Sequence, residues 1–286
     1  MPTLKDLETN DRSNWCPGCG NFGIQAALKQ AIINLNLDPW NVMISTGIGC
    51  GSKINQWVNT YGFAGLHGRS LPVAMGAKLS NHELTVIDVS GDGDGYGIGI
   101  GHFIHNARRN LNVTYITQDN QTYGLTLGQV SPTSEKGMKG PSTPNGVIEN
   151  PVNPIRLALS SDATFVARGF SGDIAHLTKL IEDGIKHRGF ALIDVFQPCV
   201  TFNKVNTYQF FRDKVYKLED VGHDTSDIVK AFDRAGEWGS KIPIGVFYKV
   251  DKSVYEDSDV GLKDGIPRAK VDISNIDVAE VISSFM

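Results

Sequence analysis

Apolar positions in FGIQAALKQAIINLNL recur at helical spacing, which predicts a helix over Phe22–Leu37. NVMIST (Asn41–Thr46) reads as a buried strand and gives way to GIGCGSK. YGFAGLHGRS, with its glycines and histidine, reads as a loop. LPVAMGAK (Leu71–Lys78) is small and apolar and suits a helix packed closely on a sheet. ELTVIDVS (Glu83–Ser90) is almost continuously apolar, as expected of a strand covered on both faces. A glycine turn, GDGDGYG, opens into a helix, and LNVTYITQDN (Leu111–Asn120) is the next strand. DATFVARG, DIAHLTKLIEDGIKH and FALIDVFQPC repeat the order strand, helix, strand. This alternation predicts an α/β fold, a mostly parallel sheet with helices on both faces and right-handed crossovers.

Two stretches break the rhythm. Ser131–Pro154 is rich in Pro, Gly, Ser and Thr without periodicity, a long loop of the kind that often carries function. Beyond Cys199 the chain becomes more charged, with one further strand at PIGVFYKV. The expected division is a domain over residues 1–203 and an extension over residues 204–286 that packs on it or on a partner subunit.

Composition narrows the function classes. With 286 residues, 41% hydrophobic and 20% charged, the chain can bury a sizeable core. A net charge of −4 without a basic block argues against nucleic acid as a partner. No apolar run approaches a membrane span, and the opening MPTLKDLETNDRSN lacks the pattern of a secretory signal. A cytoplasmic location is the expectation. Four cysteines are too few for a disulfide scaffold in a chain of this size.

GDGDGYG (Gly91–Gly97) is the sharpest chemical signal, because it stands between a strand and a helix. Open α/β sheets bind ligands at the carboxyl ends of their strands, and glycines there let the backbone approach a diphosphate. A dinucleotide site of the GxGxxG type carries no acid inside it, whereas Asp92 and Asp94 sit among these glycines. A carboxylate beside a diphosphate repels it unless a cation lies between, so the motif implies a divalent metal, Mg²⁺. Between Gly93 and Asn120 lie 26 residues, the length of one helix and one strand. That spacing returns Asn120 to the edge occupied by Asp92, where its side-chain oxygen and the Thr122 carbonyl can complete the protein's share of the ligands.

Cys16 and Cys19 form a CxxC in NWCPGCGNFG, while Cys50 and Cys199 each follow a predicted strand. All four can therefore meet at the carboxyl edge of the sheet. Four thiolates hold either zinc or a 4Fe-4S cluster. Structural zinc usually joins two CxxC knuckles in a small domain, so one CxxC with two dispersed ligands favours the cluster. A thioredoxin-like redox pair and ordinary buried thiols are the plainer alternatives.

Taken together, WCPGCG, GIGCGSK, GLHGRSLPVAMGAK, SGDGDGYGIG, DNQTYGLTLGQ and FQPC resemble the β subunit of 2-oxoacid:ferredoxin oxidoreductases, over residues 15 to 199. The GDG…N part alone resembles the diphosphate-binding signature of thiamine diphosphate enzymes. The resemblance implies the diphosphate-binding type of thiamine diphosphate fold. It implies that Cys16, Cys19, Cys50 and Cys199 ligate one 4Fe-4S cluster and that Asp92, Asn120 and the Thr122 carbonyl bind Mg²⁺. Gly51, Ser52, His67, Gly91, Gly93, Asp94, Gly124, Leu125 and Thr126 then surround the cofactor. Lys53 matches a family position near the 2-oxoacid carboxylate, where a compact positive charge suits an anion. His67 is implied as a donor to a phosphate or to the reacting centre; Leu125 and the loop Ser131–Pro154 are the candidates for tuning the choice of substrate.

The implied reaction is oxidative decarboxylation of a 2-oxoacid: CO₂ leaves, coenzyme A takes the acyl group, and electrons pass through the cluster to ferredoxin. Pyruvate, 2-oxoglutarate and branched-chain oxoacids all fit. The Glu that activates the aminopyrimidine ring is expected from a partner α subunit with the pyrimidine-binding domain, so the chain alone is expected to be inactive. One rival reading is a non-oxidative thiamine diphosphate decarboxylase or transferase with structural zinc, which has no need of the four-cysteine set. Another is a non-enzymatic subunit that has lost the cofactor, which has no reason to keep both Asp92 and Asn120.

Overall fold

The structure, a computed structural model, describes residues 1–262, 265–274 and 278–286. Its strands are β1 (Val42–Thr46), β2 (Tyr61–Ala64), β3 (Thr85–Gly91), β4 (Thr114–Asp119), β5 (Thr122–Tyr123), β6 (Gln129–Val130), β7 (Phe165–Phe170), β8 (Ala191–Phe196), β9 (Val215–Lys217) and β10 (Ile242–Lys249). Eight of them form one sheet in the order β2-β1-β3-β4-β8-β7-β10-β9, and β5 pairs with β6 in a small hairpin beyond β4. Within the large sheet every neighbouring pair is parallel except β7 and β10.

The main helices are α1 (Asn21–Asn34), α2 (Ser70–Ser80), α3 (Ile100–Arg109), α4 (Pro154–Ser160), α5 (Ile174–Lys186), α6 (Tyr208–Lys214) and α7 (Ile228–Ala235). Successive strand residues point to opposite faces of a sheet, and the core divides accordingly. On one face Ile116, Ala167 and Ile193 pack with Ile24 and Leu28 of α1 and Leu177 and Ile181 of α5. On the other, Tyr115, Val166 and Leu192 pack with Phe103 of α3, Ile155 of α4 and Ala231 of α7. All residues of β4, β7 and β8 are buried, as expected for central strands covered on both faces.

Several elements differ from the sequence reading. YGFA, which reads as loop, is the edge strand β2; all four of its residues are exposed, so no apolar run marks it. α1 stops at Asn34, short of Leu37, because the chain turns at Asn36 with φ 52°. α4 has no periodic pattern to announce it, yet Pro154 opens it and the Asn153 side chain accepts from Arg156 N at 3.0 Å. Residues beyond 203 supply the expected strand at PIGVFYKV as β10 and, unannounced, β9, and Phe211, Ile242 and Ile244 pack there with Phe170 and Phe196. Among the described residues no helix is long and apolar enough to cross a membrane.

Because β1, β3, β4 and β8 run parallel, their carboxyl ends lie along one edge. The loops that leave those ends build the site.

Candidate active site

β3 ends at Gly91, and Asp92 opens a wide turn, Gly93–Ile98, before α3 begins. The turn needs glycine for close approach: a Cβ on Gly93 would fall 2.3 Å from the Tyr123 ring. The Tyr123 hydroxyl donates to Gly93 O at 3.0 Å and pins the turn to the segment after β4.

Asp92 is buried, and its Oδ2 accepts from the Ser131 hydroxyl and from Thr133 Oγ1, the latter at 2.7 Å. Thr133 Oγ1 also stands 2.7 Å from Asp119 Oδ1. A hydroxyl has one proton to give, so Thr133 can donate to only one of these two carboxyls at a time. Burial is the main cause pushing both upward: Asp92 to about 6, against the pull of Ser131 and Thr133, and Asp119 well above the usual carboxylate range. Asp194 and Asp92 push Asp119 further in the same direction. Such a cluster wants positive charge. Asn120 Oδ1 accepts from Thr122 N at 3.0 Å, and its amide donates to Gln197 Oε1 at 2.8 Å, which fixes its oxygen near the same edge. Carboxylate, amide oxygen and backbone carbonyl are the oxygen donors a hard divalent cation prefers, so the residues fit Mg²⁺.

Asp94 has another task. Its carboxylate accepts from Ile48 N at 3.1 Å, from Gly68 N at 2.6 Å and from the Ser90 hydroxyl. His67 Nδ1 lies 2.8 Å from its Oδ1. Asp94 thus braces the loop after β1 and the loop after β2, with His67 in close contact through one nitrogen.

These elements surround a cavity of about 160 Å³. β3 and its turn contribute Gly91, Asp92, Gly93 and Asp94, while Gly51 and His67 come from the loops after β1 and β2. The segment after β4 contributes Asn120, Thr122, Gly124, Leu125 and Thr126. Ser52 is buried beside Gly51 without lining the cavity, and its hydroxyl has no partner. Gln118, Tyr123 and Ile48 also line the cavity, and the sequence reading does not single them out. Gln118 carries a signal, a polar residue in a strand buried along its whole length. Its Oε1 is buried without a partner, and a Cβ on Gly51 would fall 1.5 Å from it. Unpartnered polar atoms beside a glycine-lined cavity fit an organic phosphate cofactor.

The four cysteines line a second cavity, of about 80 Å³. Cys50 follows β1 and Cys199 follows β8, while Cys16 and Cys19 fold over the same edge. Trp15 Nε1 donates to Cys50 O at 2.6 Å, and Gln197 Nε2 donates to Cys19 Sγ at 3.3 Å. All four are free thiols, with Cys16 exposed. Burial pushes Cys19 up to about 12, and Cys199, Cys50 and Cys16 add to the rise. Burial likewise raises Cys50, with Cys199 adding and Lys53 opposing. Thiols that raise one another's pKa share one site, and a bound iron centre offsets that repulsion. Among the described residues no three His, Cys, Asp or Glu side chains close around a single-ion position; four thiols on one cavity are the donor set that zinc and iron–sulfur centres both take. Lys53 lines this second cavity rather than the first, with Nζ 3.4 Å from Asn14 Oδ1.

Comparison with known proteins gives the fold and site their class. Residues 47–195 match the family described as thiamine pyrophosphate enzyme, C-terminal TPP binding domain. Residues 199–264 match the family described as the C terminal of the pyruvate ferredoxin oxidoreductase beta subunit. The 2-oxoacid:ferredoxin oxidoreductase subunit beta of a Sulfolobus species is 48% identical over 250 residues, 83% of this chain and 82% of the relative. The subunit of that name from Saccharolobus solfataricus is 47% identical over 269 residues, 90% of this chain and 87% of the relative. One chain of 2-oxoglutarate:ferredoxin oxidoreductase from Magnetococcus marinus, solved with 2-oxoglutarate, coenzyme A and succinyl-CoA bound, superposes with a TM-score of 0.89 at 39% identity. That match covers 100% of this chain and 96% of the other. The chain belongs to the β subunits of the 2-oxoacid:ferredoxin oxidoreductases.

Proposed function

We propose that this chain holds the diphosphate end of thiamine diphosphate and a 4Fe-4S cluster, and that with an α subunit it catalyses coenzyme A-dependent oxidative decarboxylation of a 2-oxoacid. The observation that carries this reading is a shared wall. Cys50, Asn120 and Gly124 line both cavities, so the cofactor and the cluster would be neighbours across one residue. In the reaction a 2-oxoacid and coenzyme A give acyl-CoA, CO₂ and a proton, and two electrons leave one at a time to ferredoxin. Bound in the first cavity, thiamine diphosphate supplies the electron sink that decarboxylation requires.

The chain's own residues position and insulate. Asp92, the Asn120 side chain and the Thr122 carbonyl would hold Mg²⁺ against the diphosphate. Cys16, Cys19, Cys50 and Cys199 would ligate the cluster. His67, whose Nδ1 lies 2.8 Å from Asp94 Oδ1, lines the first cavity and is assigned to the cofactor phosphate or the reacting centre. Lys53 is assigned to the substrate carboxylate; its long contact with Asn14 leaves the ammonium free to turn. Leu125, 45% exposed at the cavity mouth, is assigned to substrate selection. Among the described residues no glutamate lines the cavity, so the activating Glu is assigned to the α subunit.

The test is to purify the complex without oxygen and to measure iron, acid-labile sulfide and zinc per copy of this chain. About four iron and four sulfide, with a brown colour bleached by 2-oxoacid and coenzyme A, is the expected result. Zinc in place of iron sinks the ferredoxin reading.

A further inference from the structure

The segment Ser131-Pro132-Thr133-Ser134, at the head of the long irregular loop, makes more contacts with the cation-ligand positions than a connecting loop requires. The Ser131 hydroxyl and Thr133 Oγ1 both donate to Asp92 Oδ2. Thr133 Oγ1 also reaches Asp119 Oδ1, at the end of the strand that precedes Asn120. Ser134 Oγ donates to Gln121 O at 2.7 Å, midway between Asn120 and Thr122, and accepts from Ser131 N at 2.8 Å. Ser131, Thr133 and Ser134 are each less than a tenth exposed. Pro132 O accepts from Val152 N at 2.8 Å, so the far end of the loop returns to brace the same segment.

We propose that Ser131, Thr133 and Ser134 are positioning residues that aim all three cation donors before the cation arrives. With Oδ2 of Asp92 taken from behind by two hydroxyls, Oδ1 is the oxygen left for the cation. Ser134 fixes the peptide that carries the Asn120 side chain on one side and the Thr122 carbonyl on the other. Outer partners of this kind orient metal ligands, and their loss typically weakens metal affinity by about 10–100-fold. The inference rests on the reading of Asp92, Asn120 and Thr122 as cation ligands.

The test uses the assembled complex, stripped of divalent cation, with Mn²⁺ as the probe, counted by electron paramagnetic resonance in the presence of thiamine diphosphate. Thr133→Val keeps the shape and removes the hydroxyl; it is expected to weaken Mn²⁺ binding by about 10–100-fold. Thr133→Ser restores the hydroxyl and is expected to bind Mn²⁺ within a few-fold of the native complex. Ser131→Ala is expected to fall between the two, which keeps the inference testable should the valine variant fold poorly. Iron content is expected to stay at its native value, while the cation-free melting midpoint of Thr133→Val falls because Asp92 and Asp119 lose a buried donor. Native Mn²⁺ affinity in both Thr133→Val and Ser131→Ala overturns the clamp while leaving the cofactor site standing. Binding by Thr133→Ser as weak as by Thr133→Val overturns it too, since packing and not the hydroxyl would then matter. A native complex that takes up no Mn²⁺ with thiamine diphosphate overturns the cofactor reading itself, and this inference with it.

Discussion

Gly124 and Cys50 face each other with room for a methyl group and little more: a Cβ on Gly124 would stand 3.5 Å from Cys50 Sγ and 3.8 Å from Cys199 Sγ. Those are ordinary contact distances, so Gly124→Ala is expected to keep its iron and most of its turnover. Gly124→Val pushes a branched side chain into both cavities, where overpacking of about 1–3 kcal/mol corresponds to roughly 5–150-fold. Iron per chain and 2-oxoacid-dependent ferredoxin reduction, measured on both variants, decide the matter. A valine variant with a full cluster and native turnover would remove the case for a shared wall.

The brace beneath the first cavity can be tested at Gly47. A Cβ there would fall 1.8 Å from Asp94 Oδ2, and Asp94 is held from several sides. Gly47→Ala is expected to destabilise the fold by about 1–3 kcal/mol, read from the midpoint of denaturant unfolding. Thiamine diphosphate binding should weaken with it, because Ile48 and His67 shift when Asp94 moves. An unchanged midpoint would show that the carboxylate relocates freely.

Thiol reactivity should separate the two halves of the CxxC. In protein free of bound metal, burial and then the neighbouring cysteines push Cys19 up to about 12, so at pH 8 it carries very little of the thiolate that alkylating agents attack. Cys16 is exposed to the reagent. Brief iodoacetamide treatment followed by peptide mass analysis should find Cys16 modified far ahead of Cys19. Equal labelling would contradict the burial of Cys19.

A histidine far from the site should govern part of the acid stability. Thr164 Oγ1 donates to Asn110 Oδ1 at 2.6 Å, so at 2.7 Å from His187 Nε2 it must accept the ring proton there. His187 Nδ1 is buried without a partner. Burial is the main cause lowering this group from 6.5 to about 4, with Lys249 adding to it. Between those values the unfolded chain binds more protons than the folded one, so the contribution is complete above pH 6.5 and is lost as pH falls toward 4. His187→Gln keeps a donor for Thr164 and cannot titrate. Its melting midpoint should fall less than the native one between pH 6.5 and 4, and parallel curves would refute the assignment.

How much is legible depends on where each signal sits. β3, the glycine turn and β4 are readable because a strand buried on both faces is apolar and a diphosphate turn needs glycine. The cysteine site is readable because Cys50 and Cys199 each follow a strand, while Cys16 and Cys19 announce themselves by their spacing. β2 is hidden because an edge strand with every side chain exposed has no apolar pattern to show. The roles of Ser131 and Thr133 are hidden because their partner, Asp92, is remote in the chain; hydroxyls in a proline-rich stretch read as loop. Asp94 and Asp92 stand two residues apart in one motif, and nothing in the letters tells that Asp92 takes the Ser131 and Thr133 hydroxyls while Asp94 gathers Ile48, Gly68 and Ser90.

Asp94 also settles how the protein meets its cofactor. The backbone donors of Ile48 and Gly68, the Ser90 hydroxyl and His67 gather around its carboxylate, so the loops after β1 and β2 are tied to β3. Loops that would otherwise lose conformational freedom on binding have lost it during folding. A ligand docking between loops tied in this way needs less of its contact energy to order the chain.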